Sequence, residues 1–414
     1  MIRHIIVFVM LSYAATTYAQ EPILSFQSEY AGRNMVGAYG GITATSSDFS
    51  NRFVGSLISD DQLEPSLILD QLSIMDADRN KLGMDYESGV IGSWNVKNGP
   101  HSLLFRASDG AHIHFSTPKN AMALVFQGNK PFAGDTLDFS NISGLGMRYQ
   151  QLSIGWSYNQ GIGASIWAMA SFVNGQQMAE IDISRSWLYT GTLGDTLGVG
   201  LTGTGYLSDT SHVGFAKPSG IGGALDFGLN RQFQGDFSDW IMRASVQNLG
   251  IIEWSSRTIQ ADVDTNLNWY GVEINDLLAA GEQFEGTALE DSLTRGIDNS
   301  LSKGRHYTWL PGAAQVDFVQ LKDKGLELGG GAVVRWNAGY NPFAYGRIGY
   351  RFNTAIALHS TIGYGGYGAF QMGIRGGYVS EHIHAGLAIN NLEALIVPSQ
   401  FAGGSLNFHF SYLF

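Results

Sequence analysis

Ten histidines are the first side chains to test for chemistry, and four of them stand in His-x-His pairs, His112 with His114 and His382 with His384. On an extended chain that spacing puts both imidazoles on one side, as two ligands of a metal site require. A third ligand would have to come from a neighbouring strand, where His409 is the candidate beside His384. Without it the pairs read better as imidazoles facing a wet interior. Serines and histidines abound, but no Gly-x-Ser-x-Gly marks a nucleophile. Gly329-Gly330-Gly331 lacks the following Lys-Ser and the strand-to-helix setting of a phosphate loop. The chain has no cysteine, so thiolate ligands and disulfides are excluded. The sequence therefore predicts no catalytic residue, no metal and no cofactor. What remains is a charged row, Glu327, Arg335, Arg347, Arg351 and Arg375, with His384 and His409. Such a row lines a selective passage or attracts anionic solutes. It can equally pair within itself and fill an interior, the reading the residues favour.

The elements that carry this row are strands of strict period two. Leu406, Phe408, Phe410, Tyr412 and Phe414 alternate with Ser405, Asn407, His409 and Ser411. One face of that strand is wholly apolar and aromatic, the other small or polar. The pattern recurs backwards through 383–389, 370–378, 356–364, 348–352 and 328–336, and less regularly over 313–321. The charges fall consistently on the non-apolar face. A cation facing lipid costs about 2–4 kcal/mol at mid-membrane, so this placement argues for a membrane barrel over a soluble sheet. Strand-like runs upstream lie near 89–96, 102–107, 145–158, 161–173, 178–187, 198–207, 222–230 and 240–247. The expected fold is an all-β, antiparallel, up-and-down transmembrane barrel of about 14 strands, with 12–16 tolerable. If the last strand ends at the periplasm, the segment 253–305 lies outside the cell. Within it are a helix-like piece over 275–280, an acidic stretch over 282–291, and 266–274 as a possible extra strand.

The beginning of the chain reads as an export signal over residues 1–20. Arg3 and His4 precede the apolar run of 5–11, and Thr17-Tyr18-Ala19 suits a cleavage site. Residues 21–85 are the least legible part, N-terminal strands or a plug, with 71–82 as a helix, plug or loop. Residues 86–414 are the barrel. The composition agrees: 54 glycines, 23 Phe, 18 Tyr and 9 Trp, with only 14% charged residues. No run of about 18 apolar residues could form a membrane helix. The formal charge of −12 argues against nucleic acid, which demands clustered Lys and Arg. The loop 392–402 carries an apolar group, Leu395, Ile396 and Val397, suited to a partner, a ligand or the barrel mouth.

Several segments resemble an uncharacterised Bacteroidota outer-membrane barrel family, a domain of unknown function similar in architecture to FadL-type transport barrels. They are 118–135 with Phe126-Gln127-Gly128-Asn129-Lys130-Pro131-Phe132-Ala133-Gly134-Asp135, and Ser245-Val246-Gln247-Asn248-Leu249-Gly250-Ile251-Ile252-Glu253-Trp254. Trp309-Leu310-Pro311, Asn390-Asn391-Leu392 and the closing strand also match. The resemblance implies residence in the bacterial outer membrane, among lipid and lipopolysaccharide, after insertion by the barrel-assembly machinery. It implies passage of a small, hydrophobic solute. The competing expectation is an accessory or scaffold barrel of a secretion or surface-assembly complex of type IX kind.

Overall fold

The computed structural model describes residues 33–414 apart from 60–62, 161–162, 212–213, 215–216, 236–238 and 271–299. The expected export signal and the pieces at 275–280 and 282–291 lie outside the described residues.

In chain order the elements are β1 (Met35–Ser46), α1 (Asn51–Ile58), α2 (Pro65–Ile74), β2 (Asn80–Asn95), β3 (His101–Thr117), α3 (Lys119–Gln127), β4 (Thr136–Asp138) and β5 (Ile142–Asn159). Then come β6 (Ala164–Thr190), β7 (Thr196–Leu207), β8 (Gly220–Phe233), β9 (Asp239–Tyr270), β10 (Leu301–Trp309) and β11 (Gly312–Leu321). The last are β12 (Gly325–Trp336), β13 (Asn341–Arg351), β14 (Ile356–Gly366), β15 (Phe370–Val379), β16 (Ile383–Asn390), α4 (Leu392–Ile396) and β17 (Ala402–Leu413).

Fourteen of these strands close a barrel, each antiparallel to its neighbours: β1, β2, β3, β5, β6, β8, β9 and β11 through β17. The circle closes where β1 pairs with β17, from Met35↔Leu413 to Ser46↔Ala402. Closure leaves no row of unsatisfied backbone groups facing lipid. Alternation decides which way each side chain faces. On β13, Phe343, Tyr345 and Arg347 are buried while Ala344, Ile348 and Tyr350 are exposed. Leu406, Phe408, Phe410 and Tyr412 on β17 are likewise exposed, and Ser405 and Ser411 buried. The outer wall is thus apolar, while the inner wall carries polar and charged side chains beside several apolar clusters.

The two ends differ. At one, adjacent strands are joined by tight turns, such as 96–100, where Lys97 and Asn98 both take positive φ (55° and 52°). Two successive left-handed residues match the right-handed twist of the flanking strands. At the other end most connections are long, though 337–340 and 367–369 are short. Residues 47–79 form α1 and α2, and residues 118–141 carry α3 and β4. The distal parts of β6 and β9 run on past the barrel, and β7 joins them both, Ala179↔Leu207 on one side and Leu207↔Ile259 on the other. β10 pairs with β9, and β4 with β6. The result is an arm of sheet, in which 255–270 of β9 alone span about 50 Å at about 3.3 Å per residue.

The helices of the loop end have their own core. Phe49, Phe53 and Leu57 pack with Leu67, Leu72, Met75 and Ala123. Ser50 starts α1 by accepting the Phe53 N–H on its hydroxyl (3.2 Å), an N-cap. The buried Gln71 of α2 accepts from the Ser50 N–H and Oγ–H, each at 3.0 Å, and donates to the Asp48 carbonyl (2.7 Å). So the least legible region holds a wall strand, β1, and two helices at the loop end.

Candidate functional site: a divided lumen

Around the circle, β12 is the seventh strand on from β2, so the two stand on opposite walls. An ion pair bridges them. Arg335 on β12 donates to both carboxylate oxygens of Asp85 on β2, at 2.6 and 2.7 Å. This fork-to-carboxylate geometry is the strongest form of the pair. The Arg335 guanidinium also lies over the rings of Tyr340 (5.2 Å) and Tyr367 (6.0 Å), from two loop-end connections. Those rings meet edge-on at 5.0 Å. Asp85 is held further by His112 Nδ1 (2.7 Å), whose Nε2 hydrogen-bonds with His114 Nδ1 (3.0 Å). Tyr367 is 1% exposed and would collide with a Cβ at position 83, so Gly83 makes room for its ring. Side chains of the wall and of two short loops thus form a septum.

Two cavities that share no lining residue sit inside the barrel. The one nearer the loop end, about 100 Å³, lies against the bridge and is bounded by Asp85, Glu87, Tyr149, Asn248, Arg335 and Tyr367. Beside it, the Arg106 guanidinium meets Asp226 (2.5 Å), and Asp226 accepts the Asn248 N–H (2.6 Å). Asn248 takes φ 55° at a bulge in the β8–β9 pairing, which frees that N–H from the ladder. The turn-side chamber, about 120 Å³, is bounded by Arg243, Glu327, Arg347, Arg351, Arg375 and three histidines, His359, His384 and His409. Within it Glu327 accepts from Arg351 Nε (2.6 Å) and hydrogen-bonds with His359 Nε2 (2.8 Å).

Of the seven charged or imidazole residues singled out in the sequence, six therefore border one chamber, and Arg335 belongs to the septum instead. The His-x-His pairs part company. His112 and His114 bond to each other. His384 lies on the inner wall, whereas His382 sits in the turn before β16 and hydrogen-bonds with the Leu413 carbonyl (3.2 Å). Leu395 and Ile396 are exposed on α4, and Val397 ends that helix half-buried. α4 is tied to α1, since Asn51 Nδ2 donates to the Ala394 carbonyl (3.0 Å) and the Arg52 N–H to Pro398 (2.8 Å). Glu393 turns inward and accepts the Met372 N–H (2.7 Å); burial raises its pKa.

Sequence reasoning passed over Asp85, Tyr340, Tyr367 and Arg243. Asp85 alternates with Met84 and Tyr86 on its strand, the same signal that revealed Arg375. The tyrosines lie in loops and carry no such signal.

Three solved structures illustrate what the chain is similar to. The Pseudomonas putida toluene transporter TodX is 8% identical, with a TM-score of 0.39, covering 96% of this chain and 95% of that one. A Pseudomonas aeruginosa FadL homologue is 9% identical, with a TM-score of 0.44 and coverages of 97% and 95%. The outer-membrane protease OmpT of Escherichia coli is 8% identical, with a TM-score of 0.25 and coverages of 92% and 96%. No curated protein matches the sequence. The sequence profile described as Family of unknown function (DUF5723) matches residues 26–375, and the chain belongs to that family.

Proposed function

We propose that this protein is a non-catalytic outer-membrane barrel that passes a small solute through a gated lumen. The observation that carries this reading is the Asp85–Arg335 bridge across the barrel, with a cavity lying against it and a second chamber nearer the turn end. A barrel that only filled its interior would need neither chamber. The septum is built from side chains, two of them loop tyrosines, so its rearrangement would leave the wall's backbone pairing intact. That is how a gate differs from a packed core. The apolar outer wall supports residence in a membrane, and the strand number and loop asymmetry suit an outer-membrane barrel. By analogy with the toluene transporter and the FadL homologue the solute is hydrophobic. Purified protein in a planar bilayer tests the reading. Stepwise conductance or flux of a labelled solute supports it, and a silent barrel refutes it.

A second reading, an accessory barrel of a surface or secretion complex, draws on the projecting arm and on Leu395 and Ile396, exposed at 64% and 68%. It expects a silent lumen and a large partner that co-purifies through the loop end.

A further inference from the structure

We propose that the sheet arm carries a binding face for a neutral saccharide, built around Trp187 on β6 with Asp138, Arg185, Asn266 and Asn268. Binding there does not depend on whether the lumen conducts; that the saccharide belongs to a cell surface rests on the outer-membrane reading.

The register puts these side chains on one face. Asp138 of β4 stands opposite Trp187 of β6, Trp187 opposite Gly200 of β7, and Gly200 opposite Asn266 of β9. The next row on that face is Thr136, Tyr189, Gly198 and Asn268. On the other side of the Trp187 row lie Arg185, Thr202 and Asp264, where the Thr202 hydroxyl donates to Asp264 (3.1 Å). Directly paired residues share a face, as do alternate residues of one strand. The opposite face of the same strands is apolar, with Leu137, Leu188, Val199, Leu201 and Leu267. Four strands about 4.8 Å apart make the face about 14 Å wide, room for a short run of sugar rings.

The indole has a prepared bed. A Cβ at Gly200 would run into the Trp187 ring, and one at Gly198 would stand 3.0 Å from it, so the ring lies across two glycines. It is half-buried, and it borders an open pocket of about 390 Å³ with Thr136, Asp138, Ser140 and Arg185. A face that met only water would leave part of this apolar ring uncovered, at a cost in free energy. A pyranose is amphipathic in the matching way. Its axial C–H bonds form an apolar face, which the negative π-face of an aromatic ring attracts, while its hydroxyls radiate from the rim. Around Trp187 that rim meets planar groups able to bridge neighbouring hydroxyls: carboxylates accept, a guanidinium donates, and amides do both. Asp138, Arg185, Asn266 and Asn268 are all exposed to do so. Charge then selects among sugars. Asp138 and Asp264 outnumber Arg185, and one step along the same face Asp182, Thr204 and Asp262 add two more carboxylates. Uronic acids and phosphorylated sugars are repelled by such a face, and a neutral hexose is not.

The test uses the whole protein in lauryldimethylamine oxide, a detergent without a sugar headgroup that could compete. The probes are maltohexaose, cellohexaose and mannohexaose, with polyethylene glycol of equal mass as the blank. Titration followed by tryptophan fluorescence and calorimetry is expected to show saturable binding of at least one of the three sugars and none of the blank. Trp187→Ala should weaken that binding about tenfold or more. Because its loss could also disturb the arm, the double variant R185A/N266A changes two exposed side chains, keeps the ring on its glycines, and should weaken binding by a similar factor. Failure of all three sugars to bind saturably, or binding that survives both variants, overturns the proposal. So does capture of a protein through this face that the sugars do not displace, which would favour the accessory-barrel reading. Sugar binding by a barrel that is silent in bilayers supports the saccharide face and defeats the channel.

Discussion

The septum makes the sharpest prediction, because its central contact can be dissected from both ends. Replacing Arg335 with Met keeps the length of the side chain but strips Asp85 of its bidentate partner. The Arg335 and Asp85 side chains are 16% and 13% exposed, and two charged hydrogen bonds of 2.6 and 2.7 Å join them. Breaking such a pair by removing one partner costs about 3–5 kcal/mol, chiefly because the other charge is left buried. Asp85→Asn should cost somewhat less, since an amide oxygen can still receive one guanidinium N–H and His112 keeps a neighbour. The double variant buries neither charge. Its cost should therefore fall below the sum of the singles by about 2–3 kcal/mol. Urea unfolding of the barrel in phospholipid, followed by tryptophan fluorescence, measures all four corners of the cycle. Bilayer recordings of the same proteins should show a larger unitary conductance for Arg335→Met than for the wild type. Additive stabilities with singles below about 1 kcal/mol would mean that the bridge is a solvated contact and not a strut. An unchanged conductance would mean that the septum does not limit passage.

Other expectations follow from the wall and the loop end. Ile348→Arg, on the outer face beside the tolerated inward Arg347, should cost about 2–4 kcal/mol if that face meets lipid at mid-depth, read as urea stability in bilayers. In detergent the penalty should shrink. Phe53→Ala removes a fully buried ring from the helical core of the loop end and should cost about 3–5 kcal/mol locally. Hydrogen exchange should then quicken in α1 and α2 and stay unchanged in β13–β16. Glu393 is a carboxyl whose pKa burial raises, so the folded state binds its proton more tightly than the unfolded state. Stability of the α4 contact should rise as pH falls through the raised value toward 4.5, and decline as pH rises. Glu393→Gln should flatten that dependence, as measured by exchange of the Met372 amide against pH.

The barrel was legible because lipid enforces a strict period of two on its wall. β11 through β17 show it plainly, and counting upstream runs reached the right number of strands. The composition of that count was partly different. β1 is rich in Gly, Ala and Thr and shows large outward side chains at Val36 and Ile42, so it stayed within the stretch read only as N-terminal strands or a plug. The runs at 161–173 and 178–187 are one strand, β6, and 198–207 is β7 of the arm rather than a wall strand. Period two persists in the arm without a membrane, so alternation cannot tell where the wall ends. The inner charges were legible for the same reason as the strands. Their partners were not, since Asp85 and Arg335 meet only because the sheet closes on itself.

That closure also constrains how the molecule comes into being. Met35 is partnered with Leu413, so the first wall strand cannot complete its hydrogen bonds until nearly the whole chain has been synthesised. Contacts between such distant segments form slowly, because loop closure comes before any gain from pairing. Until then β1 and the growing edge each present an unpaired row of N–H and C=O groups, a template for joining another chain. The seam is thus the last part of the wall to form, and the delay before it closes is when the unfinished sheet most needs an escort.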